Sequence, residues 1–124
     1  TLASDHSANR KDMQYYNEAI YCYYLEDYEG AMRAAKQALK LGSIKASYLL
    51  IELYYDEDSP YRDVEKTISY AKQLFEATKD PELAFLLGIV YDQQLKDYVK
   101  AVNWYENAER LGHKRVAFYL GRIY

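Results

Sequence analysis

The sequence predicts an all-α fold of stacked helix pairs, seven helices in all, on three observations. Four tyrosines that close similar apolar segments, Tyr21, Tyr54, Tyr91 and Tyr124, are separated by 33, 37 and 33 residues, a period typical of stacked helical units. Apolar residues recur at helical spacing, as in Leu83, Leu86, Leu87, Val90 and Tyr91. Only 5 Gly and 2 Pro occur among 124 residues, little material for the tight turns of a barrel or sandwich. A chain of this length supports one continuous core.

The elements follow in order. A polar stretch over residues 1–11 precedes the first helix, near 12–25. The clearest boundaries lie in the third unit. Asp80-Pro81-Glu82 supplies an N-cap, a proline at the first helical position and an acid in the first turn, opening a helix over 81–94. Val99, Val102, Tyr105 and Ala108 mark its partner over 97–111, which stops at Gly112. Laying residues 14–54 over 84–124 gives ten identities in 41 positions, among them Asp27/Asp97, Ala31/Ala101, Gly42/Gly112 and Tyr54/Tyr124. Equivalent boundaries place helices at 28–41, 44–56, 61–78 and 114–124. The units therefore span about 12–43, 44–79 and 80–112, with a closing helix in 113–124. The extra residues of the middle unit fall in the polar stretch from Tyr55 to Pro60, where insertion is cheap. Ala31, Ala38, Ala71, Ala84, Ala101, Ala108 and Ala117 recur where helices approach closely. Gly88 and Gly121, each costly inside a helix, imply backbone contact with a facing helix.

Sixteen basic and nineteen acidic residues give a net charge of -3, interspersed along the chain. No basic stripe exists to displace counterions from phosphates, which argues against a nucleic-acid partner. No apolar run approaches the length of a membrane span. Cys22 stands alone among apolar neighbours, a buried small hydrophobe by expectation, and assigns no redox compartment. A start at Thr1 fits a processed mature chain and a trimmed one equally well, which leaves secreted, periplasmic and cytoplasmic locations all open.

Ala84-Phe-Leu-Leu-Gly-Ile-Val-Tyr91 followed by Lys100 to Gly112 resembles the Sel1-like repeat, a subfamily of the tetratricopeptide class. Asp27 to Ala31 through Ala38 to Leu41 is closer to an ordinary tetratricopeptide repeat. In the first unit the usual small residue is Ala19 only if the register slips by one. In the second, Ile51 and Thr67 replace the glycine and the alanine. The resemblance implies a right-handed α-solenoid of about three helix-turn-helix repeats plus a C-terminal helix. It further implies a concave surface lined by first helices and a role as a non-enzymatic scaffold or adaptor for a protein or peptide.

Mapped onto this sequence, the groove positions are Tyr16, Tyr23, Tyr48, Glu52, Tyr55, Phe85, Ile89, Asp92, Phe118 and Arg122. The ladder Tyr16, Tyr48, Phe85, Phe118 presents one ring per repeat, although packing within the repeat is the favoured reading of those four. Tyrosine suits a binding face because it offers large area at low rotamer entropy with a hydrogen-bond handle. Catalytic signals are thin. His6 and His113 lack partners at zinc-ligand spacing and read as solvated or capping residues. Asp56-Glu57-Asp58 lacks the glycine and bidentate Glu of a calcium loop and reads as a solvated loop. Trp104 reads as a packing residue. The expectation is no catalytic residue, no metal and no cofactor. A remote alternative, a hydrolase, follows only from cysteine-rich Sel1-like proteins, whose disulfide pairs this chain lacks. The runner-up is self-association as a homo-oligomer through the closing helix, whose Phe118, Leu120, Ile123 and Tyr124 await a covering helix.

Overall fold

The computed structural model describes the backbone from Leu2 to Tyr124 and the side chains from Lys11 onward. Seven α-helices follow one another: α1 (Leu2–Tyr24), α2 (Tyr28–Lys40), α3 (Ile44–Tyr55), α4 (Val64–Thr78), α5 (Pro81–Ile89), α6 (Tyr98–Arg110) and α7 (Val116–Ile123). A π-helical turn, Val90–Gln94, prolongs α5. Among the described residues there is no strand, and every expected helix is present. The first starts at Leu2 rather than near residue 12, so the expected polar extension is helical.

The chain forms two compact units, Thr1–Asp63 with α1 to α3 and Val64–Tyr124 with α4 to α7. The middle sequence repeat is divided between them, with α3 in the first and α4 in the second.

In the first unit, α1 and α3 pack on α2. Asp27 begins α2 by accepting the Gly30 N–H, and Ser43 begins α3 by accepting the Ala46 N–H. Each cap satisfies a backbone donor that the helix leaves orphaned. Gly42 takes φ +92 between those helices, a region that a side chain resists. The core holds Ala19, Ala31, Ala35, Leu50, Leu53 and Tyr54, with Tyr16, Tyr23 and Cys22 packed at its edge. Cys22 is thus half-buried rather than fully enclosed.

In the second unit, α5 packs between α4 and α6, and α7 packs on α6. Asp97 caps α6 through the Lys100 N–H, as Asp27 caps α2. The core centres on Tyr105, the largest fully buried side chain of those described. Gly88 makes room for it: a Cβ there would stand 2.3 Å from Cδ1 of Tyr105. Trp104 meets Phe75 edge-on at 5.4 Å and joins α6 to α4, the packing role expected of it.

The close approach expected at the small residues of α7 is corrected. Gly121 has nothing within 4 Å of a would-be Cβ, and Ala117 is exposed, so α7 makes no close approach along that face. Tyr54 and Tyr91 are buried, but Tyr21 and Tyr124 are 66% and 78% exposed, so the once-per-unit tyrosine does not always pack.

The register of α1, open by one residue in the sequence, is resolved by burial. Ala19 is fully buried and Glu18 exposed, so Ala19 is the counterpart of Gly88. Nine residues separate Gly88 from the cap Asp97, and eight separate Ala19 from the cap Asp27. The π-helical turn absorbs the additional residue, since a π-turn is a one-residue insertion into α-helical winding.

Candidate functional site

Each unit carries a cleft among its described residues. In the first, Asp12, Met13, Tyr16, Asn17, Gly42, Ser43, Ile44 and Lys45 line about 360 Å³. Lys45 sits there with its Nζ 5.8 Å above the Tyr16 ring, a cation–π distance. Tyr23 lies further along α1, half-buried. Its hydroxyl donates to Oδ2 of Asp56 at 2.6 Å, and Tyr28 meets its ring edge-on at 5.9 Å. Burial first, then that hydrogen bond, raises the Tyr23 phenol well above its ordinary range. Glu52 is exposed, yet desolvation of its carboxyl, followed by the charge of Asp56, pushes its pKa up. Tyr48 and Tyr55 are half-buried and engaged with neighbours. Asp56 also accepts the Asp58 N–H at 2.9 Å, which orders the acidic loop.

The second cleft, about 490 Å³, is lined by Asp92, Gln93, Lys96, Tyr98, Arg122 and Ile123. Asp92 comes from the π-helical turn and is buried. Its Oδ2 accepts from the Tyr105 hydroxyl at 3.0 Å and from Nη2 of Arg122 at 3.0 Å. A buried carboxylate needs such partners to offset desolvation. Burial and then the bond to Asp92 raise the Tyr105 phenol above its ordinary range. Arg122, half-exposed, also lies 5.5 Å from the Tyr119 ring.

The predicted groove residues separate accordingly. Asp92 and Arg122 come together, and Tyr16 and Tyr23 stand at ordered positions. Ile89 is half-buried outside the lining of the second cleft. Phe85 is buried against His113, stacked at 4.2 Å, and Tyr119, edge-on at 5.0 Å, so it serves packing, not a groove. Phe118 is 72% exposed.

Of the two roles expected of His113, solvated or capping, the first does not apply, for the residue is buried. Its Nδ1 accepts the Arg115 N–H, a capping role at the start of α7. Its Nε2 faces Glu82 Oε1 at 3.2 Å, within ion-pair range but outside hydrogen-bond geometry. His6 lies outside the described side chains. The Cys22 thiol is pushed up by burial and then by Asp27, which disfavours the nucleophilic thiolate. Among the described residues no group of three or more His, Cys, Asp or Glu side chains could hold a metal ion, and no helix is long and apolar enough to cross a membrane.

Lys96 and Tyr98 escaped the sequence reading as site residues, as did the bond from Tyr105 to Asp92. A signal existed in the alignment of the repeats: Lys96 stands where the first unit has Glu26, and Arg122 where it has Glu52. Comparison with family models, with curated proteins and with solved structures yields no match.

Proposed function

We propose that the chain is a Sel1-like or tetratricopeptide-like repeat domain, a right-handed α-solenoid that binds a protein or peptide segment along a groove lined by its first helices. It acts as a non-enzymatic scaffold or adaptor. The observation that carries this reading is that first-helix side chains are held in place while still reaching solvent. Arg122 is fixed by Asp92 and half-exposed, Tyr23 is tied to Asp56, and Tyr16 lies beneath Lys45. Groups immobilised before binding lower the entropic cost of association. Internal repetition and the Asp27/Asp97 caps support repeat units that each contact their neighbours.

The test is selection of binders from a peptide-display library on the whole chain, followed by backbone amide shift mapping. Shifts at Tyr16, Tyr23, Glu52 and Arg122 support the reading. Shifts confined to exposed positions of second helices, such as Arg33, Lys36, Lys72 and Glu109, overturn it.

A second reading, self-association through α7, is favoured by the exposure of Phe118 alongside Tyr124. Sedimentation over a wide concentration range separates the two. A species that stays monomeric throughout removes the second reading.

A further inference from the structure

We propose that the cleft formed by the π-helical turn, the start of α6 and α7 binds a side-chain carboxylate of an acidic peptide segment. The proposal rests on the interaction reading above and assigns a ligand chemistry to one site within it.

Two cations face this cleft, Lys96 and Arg122, and one acid, Asp92. Asp92 is already committed, because its Oδ2 takes both the Tyr105 hydroxyl and Arg122. It is buried behind the guanidinium and neutralises a single positive charge. Arg122 carries five N–H donors, and only one is used by Asp92. The planar fork that remains matches a carboxylate in bidentate geometry. Lys96 is exposed and has no carboxylate partner among the described residues. The neighbouring Lys100, by contrast, is engaged by Asp97 at 3.9 Å. Gln93 and Tyr98 add donors at the rim, and Ile123 gives an apolar wall for the ligand's methylenes. About 490 Å³ accommodates a side chain with its flanking backbone.

The repeat supplies the second argument. Glu26 takes positive φ at the end of α1 as Lys96 does beyond α5, with φ 60 and 55. The fold thus accepts either sign of charge at this position. Lys96 and Arg122 replace Glu26 and Glu52 as a pair, so the positive cleft is a property of the second unit and not of the repeat.

The experiment uses fluorescein-labelled, C-terminally amidated hexaglutamate and hexaglutamine peptides with the whole chain at low ionic strength, read by anisotropy and amide shifts. Hexaglutamate is expected to bind with shifts at Gln93, Lys96 and Arg122, and hexaglutamine is not. Lys96→Glu, which installs the residue tolerated at the first unit's equivalent position, weakens binding roughly tenfold while leaving the remaining amide spectrum intact. Arg122→Gln weakens it further, and added salt does the same. Unchanged hexaglutamate affinity in Lys96→Glu overturns the proposal. So does displacement of the peptide by an equal concentration of inorganic phosphate, which marks a generic anion hole. Equal binding of both peptides, with shifts along the first helices, overturns the carboxylate assignment while leaving the interaction reading standing. Hexaglutamate shifts confined to second-helix surfaces overturn both.

Discussion

In the first unit α1 and α2 share a core containing Ala19 and Ala35, both fully buried. In the second, the corresponding positions on α5 and α6 are Gly88 and Tyr105, with the ring lying where a Gly88 Cβ would stand. One crossing uses two small side chains, and the other uses none and a large one. The difference has chemical consequences. A buried tyrosine brings a hydroxyl that requires a partner, and Asp92 provides it. A buried carboxylate requires a counter-charge, and Arg122 provides that. The alanine pair makes no such demand, and the first unit carries Glu52 where the second has Arg122. A choice of volume in the core thereby propagates to the charge of a surface cleft.

The largest expected effect tests the crossing itself. Tyr105→Ala should destabilise the chain by about 4 kcal/mol, as for other large buried rings. Gly88→Ala should cost about 1–2 kcal/mol, overpacking outweighing the gain in helix propensity. Combined, the two changes recreate the Ala19/Ala35 arrangement, and the Gly88→Ala penalty should vanish. Urea unfolding of all four proteins measures this, and strictly additive effects would break the comparison.

Next comes the carboxylate. Asp92→Asn keeps an acceptor for Tyr105 but leaves Arg122 without its counter-charge, for an expected loss of about 2 kcal/mol. The half-buried Asp56 of the first unit should lose less than about 1 kcal/mol on the same change. Equal losses would show that burial of Asp92 is not what separates the units.

Alkaline titration sharpens the parallel between the two tyrosine–carboxylate bonds. Both phenols titrate higher in the folded chain than the unfolded value of about 10. The stability they contribute is therefore complete below pH 10 and lost as pH rises through the folded values. Tyr105→Phe and Tyr23→Phe should each remove part of that slope. An unchanged slope in unfolding free energy against pH would contradict these assignments.

The smallest effect is expected at Glu52. Its pKa is raised, so its contribution is present below the ordinary carboxylate range and lost as pH rises through the folded value. Because the side chain is exposed and screened, Glu52→Gln should stabilise the chain at neutral pH by only a few tenths of a kcal/mol. No gain, or one that persists in acid, would remove the desolvation argument.

Much of the fold was legible because helix boundaries are local. Asp27, Ser43, Asp80 and Asp97 act as N-caps, and Gly42 and Gly112 take positive φ between helices. The cleft was half legible. Asp92 and Arg122 were read as facing one groove, but their direct pairing depends on α7 returning to the end of α5. How deep Phe85 and His113 lie was not legible, because spacing places a residue on a face without stating the depth of that face. Tyr105 was read as a packing position, but its bond to Asp92 arises only when α5 and α6 are brought together.

The π-helical turn has a consequence for how this chain tolerates changes in length. Successive residues of an α-helix are about 100° apart around the axis. Deleting Gln93 or Gln94 would restore regular winding, and everything on its N-terminal side, Asp92 included, would turn by about that angle relative to the Asp97 cap. Asp92 and Arg122 would part although both were still encoded. The pairing at this cleft therefore depends on the number of residues between Gly88 and Asp97 as well as on their identities. A single-codon deletion reaches it without touching a charged residue.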